Sequence, residues 1–338
     1  MTRYVVIGAG AIGGGVAGLL ADAGVDVVAV ARGAHADAIR EHGLTVRTAD
    51  RRFTVAIPCV VDPAELSLDA GDVLVLATKT HQAEAALRQW VDVPVLDGDT
   101  VTGTAGELLP IVTALNGVAS EDMALRWFER VIGATVWMPA AHLEPGEVIA
   151  RGTPILGAFH VGAVPAHRDE STVLDAIERD WTAAGMRIVR PADVMPWKYR
   201  KLVSNIGNVF QALAGSGEAI GPLVRAAQDE ARQVLDQAGI EVTDDASEAA
   251  ERAAGGMEIG EVPGQPDGLG GSTWQSLARG TGDVETDYLN GEIALIARRH
   301  GLRAPINATI ARLARRAAAE GHTPGDVTAD ELAELLGL

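Results

Sequence analysis

Two hydrophobic rhythms run along the chain and change over near Pro191. Before that point, short apolar runs rich in β-branched residues end in glycine, threonine or a charge, the pattern of buried strands. They occupy residues 3–8 (RYVVIG), 25–32 (VDVVAVAR), 72–79 (DVLVLATK), 130–138 (RVIGATVWM), 147–152 (EVIARG) and 153–159 (TPILGAF). Helical stretches lie between them: GGVAGLLADAG, closed at Gly24, and the amphipathic THQAEAALRQW that follows Lys79. Alternating strands and helices predict a largely parallel sheet covered on both faces, and the last three strands are expected to extend it. After Pro191, apolar positions recur every three or four residues. They predict helices over 193–214, 218–239, 244–255, 283–300, 306–320 and 328–336, the last opened by a Thr328-x-x-Glu331 capping box. The Gly/Pro-rich stretch 255–272 reads as a flexible loop. A chain of 338 residues is too long for one ordinary core, which agrees with two domains.

The first strand runs into Gly8-Ala9-Gly10-Ala11-Ile12-Gly13. With 39 glycines present, a GxGxxG match alone is weak, but strand, glycine turn, helix and second strand within 32 residues form the context that gives it force. Gly8 permits the tight turn, Gly10 lets backbone approach a pyrophosphate, and Gly13 lets the helix sit on the strand. The helix N-terminus at Ala11 and Ile12 then offers unpaired N–H groups to the phosphates. The expected fold is an α/β Rossmann-type N-terminal domain (1–190) followed by an all-α C-terminal domain (191–338). An NAD enzyme places Asp or Glu at the end of the second strand to hold the ribose hydroxyls. Here the chain has Val30, Ala31 and then Arg32. A guanidinium suits a 2′-phosphate, so NADPH/NADP+ is the expected cofactor. Lys79 and Gln82 follow another strand end and point to the same crevice, and Asn116-Gly117 is a turn between apolar runs.

In the C-terminal half, Lys198, Lys201, Asn205 and Asn208 fall on one line of a helix, beside an apolar stripe of Leu202, Ile206, Val209 and Leu213. Asn is a poor interior helix residue because its amide competes for backbone hydrogen bonds, so two within four positions need a reason. Glu285, Asp287 and Asn290 cluster at a later helix start, where acids also serve as dipole partners. The net charge of −18 argues against nucleic acid, which needs a basic footprint. No run of about 20 apolar residues exists to span a membrane. A single cysteine, Cys59, leaves no internal disulfide. That usage fits the reducing cytoplasm, and the opening residues carry no charged-then-apolar leader. No metal site is read.

These pieces together resemble the ketopantoate reductase (2-dehydropantoate 2-reductase) family over nearly the whole chain. The glycine turn with Arg32-Gly33 and AHADAIREHGLTV is similar to that family's opening, LATKTHQAEAAL to its second cofactor segment, and LNGV to its Asn-Gly turn. WKYRKLVSN is similar to its Trp-x-Lys-Leu-x-x-Asn signature, and STWQS and VETDYLNG to its remaining substrate motifs. The resemblance implies Lys201, as proton donor, and Glu285 as the catalytic residues. It also implies Gly8, Gly10, Ala11, Ile12, Gly13, Arg32, Lys79 and Asn116 as cofactor-binding. Asn205, Asn208, Ser272 and Glu285 are then substrate-binding, with Glu285 accepting from a substrate hydroxyl. The sequence departs from the family at Val209, where a second asparagine is frequent and the amide sits instead at Asn208, and at Leu115, which replaces a frequent glutamine. The implied reaction is NADPH-dependent reduction of a 2-oxo acid, 2-dehydropantoate, by a homodimer in the pantothenate and coenzyme A pathway. Lys198 is expected to be a neighbouring surface charge. A reductase of another branched 2-oxo acid and a non-catalytic NADP sensor are the alternatives, and the joint presence of Lys201 and Glu285 disfavours the sensor.

Overall fold

The computed structural model describes residues 2–265, 270–280 and 282–338. Eight strands form its central sheet: β1 (Arg3–Ile7), β2 (Asp26–Val30), β3 (Cys59–Val60), β4 (Asp72–Leu76), β5 (Pro110–Thr113), β6 (Arg130–Ala134), β7 (Gly157–Val164) and β8 (Met186–Val189). Across the sheet they lie in the order 3-2-1-4-5-6-7-8. The first six are parallel, β7 runs antiparallel to β6, and β8 runs parallel to β7. The order of the first six is that of a doubly wound dinucleotide fold, with its switch point between β1 and β4. Helices α1 (Ala11–Asp22), α2 (Gly33–His42), α3 (Thr80–Trp90) and α4 (Ser171–Ala183) cover the sheet. Alternate residues of β1 feed the two cores. Tyr4 and Val6 pack with Leu20, Phe159 and Trp181, whereas Val5 and Ile7 pack with Leu74, Leu87 and Trp90.

One expected strand belongs elsewhere, and a second joins the central sheet only in its last three residues. Glu147–Ala150 does not extend the central sheet; it pairs with Ala140–Ala141 and with Leu44–Arg47 in a separate four-stranded sheet. An apolar run marks a strand but carries no information about its partner. Gly152–Thr153 pairs with Glu258–Ile259, and β7 starts only at Gly157. The loop expected over 255–272 therefore contains a short strand, and its residues 266–269 lie outside the described residues.

The chain divides into two compact units, Met1–Leu115 with Ser120–Met195 and Asp244–Gln265, and Asn116–Ala119 with Pro196–Thr243 and Pro266–Leu338. Among the described residues, the second unit has only helices as its regular elements. It carries α5 (Met195–Asn205), α6 (Asn208–Ala214) and α7 (Gly221–Gln237), while α8 (Asp245–Gly255) returns to the first unit. It continues with α9 (Ser272–Ala278), α10 (Asn290–Arg299), α11 (Pro305–Glu320) and α12 (Ala329–Leu336). The helix expected over 193–214 is two helices, broken at Ile206–Gly207. That expected over 283–300 opens as a 3₁₀ turn, Glu285–Tyr288, before α10. The capping box is present: Glu331 N–H donates to Thr328 Oγ1 at 3.2 Å and Thr328 N–H to Glu331 Oε2 at 2.8 Å. Among the described residues, no helix is long and apolar enough to cross a membrane, and no group of His, Cys, Asp and Glu is placed to hold a metal.

Candidate active site

Each glycine of the first turn is fixed by a different contact. Gly8 has φ +98°, and a side chain there would meet Thr78 Cγ2 at 2.9 Å. A side chain at Gly13 would stand 2.1 Å from the Gly8 carbonyl oxygen and 3.0 Å from Ala77 Cβ, so the helix can lie on the strand only with glycine in that place. In front of Gly10 nothing lies within 4 Å. Gly8 and Ala9 N–H groups both donate to the Val30 carbonyl, at 3.1 and 3.0 Å, which ties the turn to the end of β2. The first α-helical bond, Gly14 N–H to Gly10 oxygen at 2.7 Å, leaves the amides of Ala11, Ile12 and Gly13 ahead of it without helical acceptors. Beside the turn, Thr78 Oγ1 is buried and has no hydrogen-bond partner among the described residues. Open space at Gly10, unspent helix amides and an orphaned hydroxyl fit a dinucleotide pyrophosphate.

Arg32 caps α2 in an extended conformation and is exposed. Its Nη2 donates to Gln89 Oε1 at 3.1 Å, and Gln89 Nε2 in turn donates to Asp62 Oδ2 at 3.2 Å. The neutral amide thus stands between the guanidinium and the nearby carboxylate, and among the described residues Arg32 forms no ion pair. Its positive charge is available to an anion. Lys79 is the N-cap of α3, and its carbonyl accepts from Gln82 N–H at 2.8 Å.

The residues expected to meet the substrate belong to the second unit, and so does the Asn116-Gly117 turn. Asn205 Nδ2 donates to Asn116 Oδ1 at 3.0 Å, joining the two motifs across 89 positions of sequence. Gly117 has φ +82°, and a side chain there would meet the Tyr288 carbonyl at 2.7 Å, so the turn lies against the end of the Glu285–Tyr288 segment. Glu285 is 8% exposed. Asn208 opens α6 and Ser272 opens α9. These two starts meet: Gly271 N–H donates to Gln211 Oε1 at 2.9 Å, and a side chain at Gly271 would touch Asn208 Oδ1 at 3.3 Å.

The polar stripe is not a solvated face. Lys201 is half-buried, Asn205 is 6% exposed, and Lys198, expected at the surface, is 1% exposed. Burial of a lysine depends on what packs over the helix, which a three-residue spacing cannot encode. Behind the stripe lies a polar network the sequence reading missed. At the break between α5 and α6, the Ile206 carbonyl accepts from Asn290 Nδ2 at 3.4 Å. Asn290 Nδ2 also donates to Asn307 Oδ1 at 3.0 Å, and Asn307 Nδ2 donates to Glu230 Oε1 at 2.9 Å. Asn290 and Asn307 are fully buried. The sequence signal was available, since asparagines in the buried stripe of α10 and α11 each need a partner.

Comparison with known proteins follows these lines. The family described as "Ketopantoate reductase PanE/ApbA" matches residues 4–166, and "Ketopantoate reductase PanE/ApbA C terminal" matches residues 193–318. A 2-dehydropantoate 2-reductase of Archaeoglobus fulgidus is 27% identical over 323 residues, covering 93% of this chain and 97% of that protein. One from Pyrococcus horikoshii is 27% identical over 224 residues, 63% of this chain and 66% of that protein. Among solved structures, a PanE/ApbA family ketopantoate reductase from Ralstonia eutropha JMP134 superposes with TM-score 0.74 at 24% identity, covering 95% of this chain and 99% of that one. D-mandelate dehydrogenase, solved with NADH and anilino(oxo)acetate, superposes with TM-score 0.76 at 19% identity over 95% and 100% of the two chains. At these identities the superpositions speak for the fold.

Proposed function

As a member of the ketopantoate reductase family, matched in both its parts, the chain is an oxidoreductase acting on a CH–OH group with a nicotinamide dinucleotide, and we propose that it reduces 2-dehydropantoate to pantoate with NADPH. The product would feed pantothenate and coenzyme A synthesis. The observation that carries this reading is the bond from Asn205 to Asn116, which ties the lysine-bearing helix to the Asn-Gly turn.

When bound, the reduced nicotinamide supplies the hydride that turns the C2 carbonyl into an alcohol. The chain's own residues do the rest. Amides at the start of α1, with Gly8, Gly10, Ala11, Ile12 and Gly13, receive the pyrophosphate, and Arg32 receives the 2′-phosphate. Lys79 and Asn116 complete the hold on the cofactor. Lys201 gives its ammonium proton to the carbonyl oxygen, a role that contributes about 10²–10⁴ in rate. Asn205 spends one amide hydrogen on Asn116, which fixes the way its amide faces. Asn205, Asn208 and Ser272 hold the substrate carboxylate and carbonyl, and Glu285 accepts a hydrogen bond from the substrate 4-hydroxyl.

The test is NADPH oxidation across 2-oxo acids with and without a 4-hydroxyl, using the wild type and Glu285→Ala. The wild type should prefer 2-dehydropantoate, and the variant should lose most of that preference, because a buried carboxylate without its hydroxyl partner discriminates strongly. Equal rates on both substrate types with the wild type would remove 2-dehydropantoate from the assignment.

A further inference from the structure

His35, on the first turns of α2, touches the glycine turn through its ring. Its Nε2 lies 2.7 Å from the Ala9 carbonyl oxygen, and its Nδ1 accepts the Gly146 N–H at 2.8 Å. Each partner can play one role only. A carbonyl accepts, so Nε2 must carry hydrogen; an amide N–H donates, so Nδ1 must present its lone pair. The contacts select one species, the neutral ring protonated on Nε2. Ala9 is the residue between Gly8 and Gly10, and its own N–H is held by the Val30 carbonyl. The imidazole therefore supplies the second backbone anchor of Ala9, on the peptide that leads into Gly10, at the place where a pyrophosphate is expected.

The other side of the ring is closed as well. His142 lies against it with ring centroids 4.2 Å apart, and His142 Nδ1 stands 3.1 Å from the Glu147 carbonyl oxygen, which makes it a donor. Gly146 has φ +77°, and a side chain there would meet Ala38 Cβ at 2.9 Å, so the turn that delivers the N–H is fixed on α2.

We propose that His35 is a positioning residue for the dinucleotide turn, and that cofactor affinity falls in acid because a second proton on its ring breaks the contact with Gly146 and releases Ala9. The inference rests on the dinucleotide reading of the turn. With hydrogen on both nitrogens, Nδ1–H would face Gly146 N–H, two donors with no acceptor between them. The ring must turn away, and the Ala9 carbonyl loses its donor. Burial, and then charge on His142, hold the His35 pKa below the usual histidine value, so the neutral form persists at neutral pH. Other charges near the ring are few. These are Arg32 at the cap of α2 and, on the helix itself, Asp37, Arg40, Glu41 and His42, with Arg40 bonded to the Cys59 carbonyl; α1 carries none before Asp22. From the facing hairpin, Glu144 is exposed, and the Glu147 carboxylate is engaged by Arg47 and Arg52.

The test is the dissociation constant of NADP+ by calorimetry between about pH 8 and about pH 5.5, for the wild type, His35→Gln and His35→Phe. Comparing variants at each pH cancels the titration of the 2′-phosphate itself. Gln keeps a donor for Ala9 without titrating, and should bind like the wild type at about pH 7.5 and resist acid. Phe keeps the ring and loses both hydrogen bonds, so it should bind about five- to tenfold more weakly at about pH 7.5. Because the His35 pKa is lowered, the wild type should weaken relative to Gln only as pH falls below the ordinary histidine range, and most at the acid end of the series. Identical pH profiles for the wild type and Gln overturn the proposal. If Phe fails to fold, the Gln profile decides alone. A wild type that binds neither NADP+ nor NAD+ at neutral pH would overturn the dinucleotide reading itself, and the proposal with it.

Discussion

Helix α11 begins without a cap of its own: its N-cap is Ala304, which has no side-chain acceptor, and Pro305 follows. The next two amides are capped from another helix. Ile306 N–H donates to Glu230 Oε2 at 2.9 Å and Asn307 N–H to Glu230 Oε1 at 2.8 Å, with Asn307 Nδ2 adding a third bond at 2.9 Å. Replacing Glu230 by Ala strands the two backbone donors, takes from Asn307 Nδ2 one of its bonds (it also donates to the Ala227 carbonyl at 2.9 Å) and removes a negative charge from the positive end of the helix. Loss of a cap costs about 1 kcal/mol and up to about 2, and a bond to a charged group is worth about 1.5–3 kcal/mol. Glu230 is half-buried, so the parts do not add in full, and the expected cost is about 3 kcal/mol. Glu230→Gln keeps one carbonyl oxygen, enough for Asn307, but loses the charge and turns the acceptor of the Ile306 N–H into a donor, at about 1–2 kcal/mol. Thermal and urea unfolding should rank wild type above Gln above Ala, the last melting roughly 5–10 °C lower. Asn307→Ala should also cost less in the Glu230→Ala background than alone, since the two share bonds. An Ala variant within about 0.5 kcal/mol of the wild type would show that the cap contributes nothing to stability.

Further outcomes follow from the sites. Lys201→Ala should lower kcat at least about 10²-fold while NADPH binding, measured by fluorescence titration, is unchanged; unchanged kcat would move the proton donor elsewhere. Lys198→Ala, because that side chain is fully buried, should destabilise the fold by about 2–4 kcal/mol in urea unfolding, whatever it does to kcat. Arg32→Ala should raise KM for NADPH at least about tenfold and leave that for NADH nearly unchanged; equal losses would refute its role at the 2′-phosphate. Burial pushes the His160 pKa down to about 4, while the unfolded chain titrates near the ordinary value, so unfolding takes up a proton between the two. Stability contributed by the neutral ring is full above about pH 6.5 and is lost as pH falls toward 4, by about 3 kcal/mol. His160→Gln should flatten that part of the urea-unfolding profile.

How far the sequence reached depended on how local each feature is. The glycine turn was legible because strand, turn and helix follow one another directly in the chain, with Gly8 at φ +98° and Gly13 against the Gly8 carbonyl, and the Thr328–Glu331 cap because both partners lie within one turn. Strand existence was legible in EVIA at 147–150, but its partner was not: any apolar strand satisfies the same alternation, and the Leu44–Arg47 pairing is set by tertiary packing. The break at Ile206–Gly207 was hidden because Leu202, Ile206, Val209 and Leu213 keep helical spacing straight through it. Lys198 misled for the opposite reason, since a charged residue reads as solvent-facing unless its surroundings are known. Glu230 gave no sign at all, because a glutamate on an amphipathic helix is the commonest of surface residues.

One feature of the architecture bears on how the molecule is made. Residues 244–265 complete the first unit after the chain has already passed into the second. In that segment Glu258–Ile259 zips onto Gly152–Thr153, Arg187 Nη2 meets Glu251 at 2.7 Å, and the Arg252 guanidinium covers the Trp137 ring at 3.9 Å. A nascent chain emerging from the ribosome cannot close its nucleotide-binding half when that half appears to end; it must wait while α5, α6 and α7 are synthesised, holding an unfinished edge at Gly152–Thr153. The two halves therefore mature together. No single scission can release the first one whole, because its last piece is encoded on the far side of three helices that belong to the other.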